Sequence, residues 1–332
     1  MGTSIVAAAM TRITMMSTKK HRLKGPHLHK LLSYRRAHNS IGEKQYVKEH
    51  VQPFQPRIIA TDTDEVMAFF VYVGKSNIMF TSHVDTVHMN SEHVYQDVVL
   101  NGNLYCKQDN QPLGADDAAG NWLMFHMIAR RIPGVYAFFR GEERGGIGSS
   151  FCAKYRKDLF EGIDCAIAFD RRGTESIITH QGRGRGCSDE FGMSLADILK
   201  LGHKLDPTGI YTDTAEFFDI VPNCTNISVG YENEHSKKET LNKSYLEALL
   251  DSLLTANWGQ LDHTPPTPDP VVVSPVSRGY MDFGVPGQLF DDAPEIGALE
   301  LADLLFDYCS VLPRDLRDEA LELSQKIFKR FE

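Results

Sequence analysis

Eight acidic or imidazole side chains stand at the ends of apolar runs. His83 and Asp85 close the run NIMFTSHVD, Asp116 and Asp117 follow QPLGA, Glu142 and Glu143 follow VYAFFRG, Asp170 follows CAIAF, and His235 follows CTNISVGYENE. A charge at the end of a buried run needs a partner. Taken singly, a His-x-Asp reads as a surface turn and a Glu-Glu pair as a solvated face. The same placement in five separate segments is much harder to obtain by accident. Two imidazoles and three carboxylates, with no thiolate among them, suit zinc, cobalt or manganese. Five ligands exceed what one tetrahedral zinc needs, and they suit two metals about 3.5–4 Å apart bridged by one carboxylate.

The elements that must carry these groups follow from the pattern. A helix is expected from Ile41 to Val51, then short β-rich runs RIIATD, VMAFFVYVG and NIMFTS. VYQDVVLNGNLYCK reads as a hairpin turning at Asn101-Gly102. After Gly114, Trp122, Phe125 and Ala129 recur at helical spacing. Strand GVYAFFR, a helix over roughly Gly148 to Asp158, and strand DCAIAFD come next. SIITHQ reads as a strand, SDEFGMSLADILKLG as a helix, CTNISVGY as a strand and TLNKSYLEALLDSLLTANW as an amphipathic helix. The alternation predicts an α/β fold with a parallel or mixed sheet, whose carboxyl edge lines the ligand crevice.

Composition bounds the rest. The 332 residues, 42% hydrophobic and 24% charged, suit a soluble globular protein of one large or two smaller domains. A net charge of -9 disfavours a general nucleic-acid or anionic-membrane binder. Residues 1–40 are expected to form a basic arm, with the Thr18-to-Arg36 segment TKKHRLKGPHLHKLLSYRR reading as a solvated arm or surface helix, or as a partner contact. Cys106, Cys152, Cys165, Cys187, Cys224 and Cys309 are scattered singly, as expected of reduced, partly buried thiols. No membrane span or secretory signal is expected, so the location expected is cytoplasmic. The catalytic unit is expected over 41–260, a Pro-rich linker over 261–290 and an acidic helical segment over 291–332.

The set SHVDTV, LGADDAAG, GEERGGIGS, AFD and YENEH resembles the co-catalytic di-zinc metallopeptidases, the M28, M20 and M42 aminopeptidase-like families. The resemblance covers roughly Ile41 to Trp258 and implies a three-layer α/β/α fold with a central mixed, mostly parallel sheet. It implies that His83 and Asp170 bind one metal and that Glu143 and His235 bind the other, with Asp116 bridging both. Asp85 would orient the His83 imidazole. A cis peptide is implied after Asp116. Glu142 would be the general base, taking a proton from a metal-bridging water and passing it to the leaving amine.

Asp170 and His235 are too close in sequence to admit the inserted lid domain of the M20 enzymes, so a single-domain, M28-type core is expected. Its site should be open unless the C-terminal segment covers it. Asp213, in IYTDTAEFF, resembles a Thr-Asp element near the active sites of relatives, with a supporting or structural role. His88, His126 and His180 read as surface or packing histidines. Arg183 and Arg185 sit on a glycine loop that either binds a substrate carboxylate or is a plain loop. Three functions compete: an aminopeptidase or small-peptide peptidase, an N-acyl amino acid deacylase using the same metals, and an inactive binding scaffold. A peptide or N-acyl amino acid is the partner expected, with no nucleic acid and no membrane; the oligomeric state is open.

Overall fold

The computed structural model describes residues 25–89, 93–107 and 109–267. Its centre is a sheet of eight strands. In chain order they are β1 (Arg57–Ala60), β2 (Val66–Val73), β3 (Ile78–His83), β6 (Gly134–Phe139), β7 (Cys165–Arg171), β8 (Ser176–Ile178), β11 (Lys204–Asp206) and β12 (Asn223–Ser228). They lie in the spatial order β1-β2-β6-β3-β7-β12-β8-β11. Strands β6, β3, β7 and β12 run parallel to one another, as does β11 to β8, while the β1–β2, β2–β6 and β12–β8 pairs are antiparallel. The mixed α/β architecture expected from the sequence is therefore the one observed.

Side chains alternate across a strand with period two, and here both faces are buried. Phe69, Val71, Ile78, Phe80, Tyr136, Phe138, Ile167 and Phe169 point into one apolar core, while Ala68, Phe70, Met79, Ala137, Phe139 and Ala166 point into the other. The first core holds helices α1 (Leu28–Leu32), α3 (Ala115–Ala129), α5 (Asp189–Leu199) and α6 (Lys243–Thr255). The second is covered by α4 (Ile147–Tyr155) with Leu159 and Phe160. This double burial explains why the strands read as near-continuous apolar runs. A smaller antiparallel sheet joins β4 (Val99–Asn101), β5 (Leu104–Cys106), β13 (Tyr231–Glu232) and β14 (Thr240–Asn242) in the order β13-β14-β5-β4. Gly102, with φ of 59°, makes the expected turn between β4 and β5.

Several local expectations are refined. The helix from Ile41 is regular to Tyr46 (α2) and continues as a π-helical turn over Val47–Val51. SIITHQ breaks into β8 and a two-residue strand β9 (His180–Gln181), which pairs with β10 (Gly184–Arg185). Helix α3 is not one-sided: apart from His126, every residue in it is buried, because it lies on β7 and β3 beneath α1 and α6. Of the segment expected as a basic arm, residues 25–40 are described, and they are packed against the body. Leu28, Leu31 and Leu32 enter the main core, and Arg36 is 1% exposed. Residues 1–24 and 268–332, which carry the rest of the basic arm, most of the Pro-rich linker and the acidic helical segment, lie outside the described residues. The linker's first residues are held: Ser188 Oγ and Asn223 Nδ2 both donate to the Thr264 carbonyl. Cys152, Cys165, Cys187 and Cys224 are buried free thiols, and Cys106 is a partly buried one. Among the described residues no helix is long and apolar enough to cross a membrane.

Candidate metal centre

Three neighbouring strands, β6, β3 and β7, end at the same edge of the sheet, and each delivers a polar group there. His83 is the last residue of β3 and is 1% exposed. Asp170 lies near the end of β7. Past the end of β6, Gly141 adopts φ of 75°, a left-handed turn that favours glycine, and starts the short 3-10 turn Glu142–Arg144. That turn lets Glu142 and Glu143 reach the same space, which adjacent residues on a strand could not do. Asp116 arrives from the first turn of α3, where the Asp116–Asp117 peptide is cis, as the resemblance implied. His235 comes from the loop between β13 and β14 with φ of 61°, and its side chain is 37% exposed.

The side chains converge on the Asp116 carboxylate. One oxygen, Oδ1, lies 3.0 Å from His83 Nε2, and the other, Oδ2, lies 3.1 Å from His235 Nε2. His83 Nε2 is also 3.5 Å from Asp170 Oδ1, and His235 Nε2 is 3.0 Å from Glu143 Oε2. Glu142 Oε2 stands 4.0 Å from His83 Nε2. Donor atoms of His83, Asp116 and Asp170, and likewise of Asp116, Glu143 and His235, lie close enough to hold one ion per trio.

Neighbouring groups fix these side chains. Asp170 accepts hydrogen bonds from Thr212 Oγ1 at 2.6 Å and from the Tyr231 hydroxyl at 3.0 Å. Asp117 receives the Gly120 N–H at 2.8 Å and the His83 N–H at 3.4 Å, so it ties α3 to the end of β3. A Cβ on Gly120 would fall 2.3 Å from the Phe169 carbonyl oxygen, which explains the glycine in LGADDAAG. Asp85 faces the His83 imidazole with both its carboxylate and its main chain. Its carboxylate Oδ1 is 3.7 Å from His83 Nδ1, beyond hydrogen-bond reach, whereas its main-chain carbonyl is at 3.2 Å. The same Oδ1 accepts the N–H groups of Gly141 at 2.8 Å and Glu142 at 3.2 Å. The Asp85 side chain thus holds the glutamate turn, and its main chain faces the imidazole.

Electrostatics show a cluster short of positive charge. Burial pushes the Glu143 carboxyl up to about 7, against the pull of His235, and Asp116 adds to the rise. Burial likewise lifts Glu142 well above the carboxylate range, with Asp170 and Glu143 repelling its ionised form. For His83, burial works against the charged form, but Asp116 and Asp170 outweigh it and raise the imidazole well above its usual value. Glu143 Oε1 and Asp85 Oδ2 are buried without a hydrogen-bond partner among the described residues. Buried like charges at this density call for a cation.

The donor set fits such a cation. Two ligand atoms bound tetrahedrally to one zinc at about 2.0–2.1 Å lie about 3.3 Å apart. The four His–carboxylate separations, 3.0, 3.5, 3.1 and 3.0 Å, bracket that spacing. Imidazole nitrogen with carboxylate oxygen, and no thiolate, is a zinc-, cobalt- or manganese-type set.

The remaining candidates lie elsewhere or play other parts. Asp213 is 1% exposed, next to Thr212, and burial pushes its carboxyl up to about 8. His88 is buried between Thr86 Oγ1 at 2.6 Å and Gln96 Oε1 at 2.8 Å. His126 packs on Trp122 and faces the Pro26 carbonyl. His180 Nδ1 is 2.9 Å from Thr179 Oγ1. Arg183 donates to the Ala215 carbonyl and pairs with Asp219, and Arg185 pairs with Asp189. Sequence reasoning missed Tyr231 and Glu239, the latter of which holds the main chain at Asp116, while Thr212 belongs to the Thr-Asp element noted with Asp213. No apolar pattern marks Glu239; it sits in the polar stretch HSKKETLN.

No protein-family model and no curated protein sequence matches the chain. Solved structures do. An aminopeptidase, PepT, from Bacillus cereus superposes with a TM-score of 0.52 at 15% identity, covering 69% of this chain and 96% of its own. A tripeptidase from Staphylococcus aureus gives 0.52 at 14% identity over 69% and 95%. The TET1 peptidase of Pyrococcus horikoshii, which assembles into a tetrahedron or an octahedral shell, gives 0.52 at 15% identity over 70% and 100%. The chain has the fold of these peptidases.

Proposed function

We propose that the chain is a metal-dependent hydrolase of peptide or amide bonds, an aminopeptidase or small-peptide peptidase that works with two divalent cations, zinc foremost. One observation carries this reading: the two oxygens of Asp116 face two different imidazoles, and each imidazole faces a further carboxylate. In this reading His83, Asp116 and Asp170 hold one cation and Asp116, Glu143 and His235 the other. Bound there, the pair supplies Lewis acidity toward a carbonyl oxygen and lowers the pKa of water.

The chain's own residues do the rest. Glu142 stands at the rim of the cluster on a turn whose N–H is anchored by Asp85. It takes the proton of the attacking water and delivers it to the leaving nitrogen. Burial and its acidic neighbours favour the protonated form of Glu142, which suits the second of these transfers. Asp85 keeps that turn in register, and Thr212 and Tyr231 keep Asp170 in place. The fold shared with aminopeptidases points to the peptidase reaction ahead of deacylation.

Metal analysis of the purified protein, with a panel of aminoacyl amides and N-acyl amino acids, tests the reading. Two equivalents of cation and turnover of the aminoacyl amides are expected. Glu142→Gln should keep the fold and the metal while lowering kcat by about 10²–10⁴-fold. An active Glu142→Gln enzyme refutes the mechanism, and turnover of N-acyl amino acids alone makes the protein a deacylase.

A further inference from the structure

The turn that presents Asp116 is gripped by side chains from three distant segments. Gln96 Nε2 donates to the Leu113 carbonyl at 2.8 Å, and Arg36 Nη2 donates to the Gly114 carbonyl at 2.8 Å. Glu239 closes the grip from the other side: Oε2 accepts the Gly114 N–H at 2.9 Å, and Oε1 accepts the Asp116 N–H at 3.0 Å. Gly114, at φ of 71°, has no room for a side chain, since a Cβ would lie 2.7 Å from His88 Cε1. The Leu113–Gly114 peptide is therefore held at both its carbonyl and its N–H, and the residue that bears the shared carboxylate is held at its own N–H.

Among these groups, Glu239 belongs to the loop that carries His235. Both lie between β13 and β14, and Glu239 is 2% exposed whereas the His235 side chain is 37% exposed. Within the loop, Glu239 N–H bonds the Ser236 carbonyl and Ser236 Oγ bonds the Asn233 carbonyl, so the loop closes on itself. Through its carboxylate, Glu239 then fastens this closed loop to the Asp116 turn.

We propose that Glu239 is a positioning residue of the metal centre: its carboxylate locks the His235 loop to the Asp116 turn and so sets the separation of two ligands of one cation. The proposal rests on the metal-centre reading above. The chemistry is specific to a carboxylate. Two N–H donors face two acceptor oxygens, and an amide in the same place would turn an NH₂ toward one of them.

Metal-free wild type, Glu239→Gln and Glu239→Asp are titrated with cobalt(II), followed by calorimetry and by the visible absorption of the bound ion, with circular dichroism to check the fold. The wild type is expected to bind two equivalents. Glu239→Gln should bind one equivalent as the wild type does and the other about 10–100-fold more weakly. Glu239→Asp, which keeps two acceptors on a shorter arm, should fall between them, and it carries the same comparison if Glu239→Gln alone fails to fold. Binding of both equivalents at wild-type strength by the variants overturns the proposal. Unfolding of both metal-free variants also overturns it, because the carboxylate would then hold the fold and not the ligands. A wild type that binds no cation is a distinct outcome that removes the metal-centre reading along with this one.

Discussion

Asp85 can be replaced in two ways that separate its hydrogen bonds from its charge. The residue is 0% exposed, and a single oxygen receives the N–H groups of Gly141 and Glu142. Asp85→Ala strands both donors where water does not reach. Each stranded donor costs about 1–3 kcal/mol, so the loss should be about 2–6 kcal/mol. That is a large share of the roughly 5–15 kcal/mol typical of a folded domain. Asp85→Asn keeps an acceptor oxygen at the same place, and its NH₂ group replaces the oxygen that has no partner among the described residues. The bonds weaken from charged to neutral, about 1 kcal/mol each, and a buried charge is released, so the net loss should stay under about 2 kcal/mol. Urea unfolding with a chelator present reads the difference without a contribution from bound cation. Equal losses for the two variants, at unchanged m values, would refute the argument, because the turn at Glu142 would then not depend on that oxygen.

Three further outcomes are expected. Arg140 forms a two-pronged pair with fully buried Glu43, at 2.9 and 2.7 Å, so Glu43→Ala should cost about 3–5 kcal/mol in chemical denaturation. Burial, reinforced by the positive charges of Arg36, Lys107 and Arg35, pushes the His88 imidazole down from 6.5 to about 3. A depressed histidine contributes stability that is complete above pH 6.5 and is lost as pH falls toward about 3; unfolding curves at pH 7, 6 and 5 should show a slope in wild type that is shallower in His88→Gln by roughly 1 kcal/mol per pH unit. Gly148→Ala should lower the midpoint of thermal unfolding sharply, because the new Cβ would lie 2.2 Å from the Met67 carbonyl oxygen, which is main chain and cannot swing away.

What the sequence reveals here divides by range. Strand ends and the groups upon them are legible because an apolar run and its polar terminus are adjacent in the chain; β3 with His83 and β7 with Asp170 are examples. Long-range grips are not legible. Glu239 meets Asp116 across 123 residues and Gly114 across 125, and nothing local distinguishes it from the lysines around it. Asp85 reads as the partner of a ring two residues away, and nothing local shows that its carboxylate also serves N–H groups 56 and 57 residues on. A short strand such as β11 exists through pairing with β8, well upstream in the chain, and has no period of its own to detect. The segment before Ile41 is a different case. Its basic residues drew attention from Leu28, Leu31 and Leu32, whose i, i+3, i+4 spacing marks a buried helical face. Arg36 is buried within this segment because its guanidinium lies 4.5 Å from the Tyr46 ring and bonds a carbonyl.

The order of strands also bears on how the molecule is made. Strand β12 is the last of the large sheet in the chain, yet it lies between β7 and β8, both synthesised before it. While the chain grows, the apolar edge of β7 has its β3 side to pair with and no neighbour on the other. An unpaired edge of this kind invites foreign strands, so the nascent protein is most prone to aggregate after β7 has emerged and before β12 follows. When β12 docks, Asn226 bonds the main chain of Asp170 in both directions, N–H and carbonyl. The step that ends the aggregation hazard thus also fixes the main chain at Asp170.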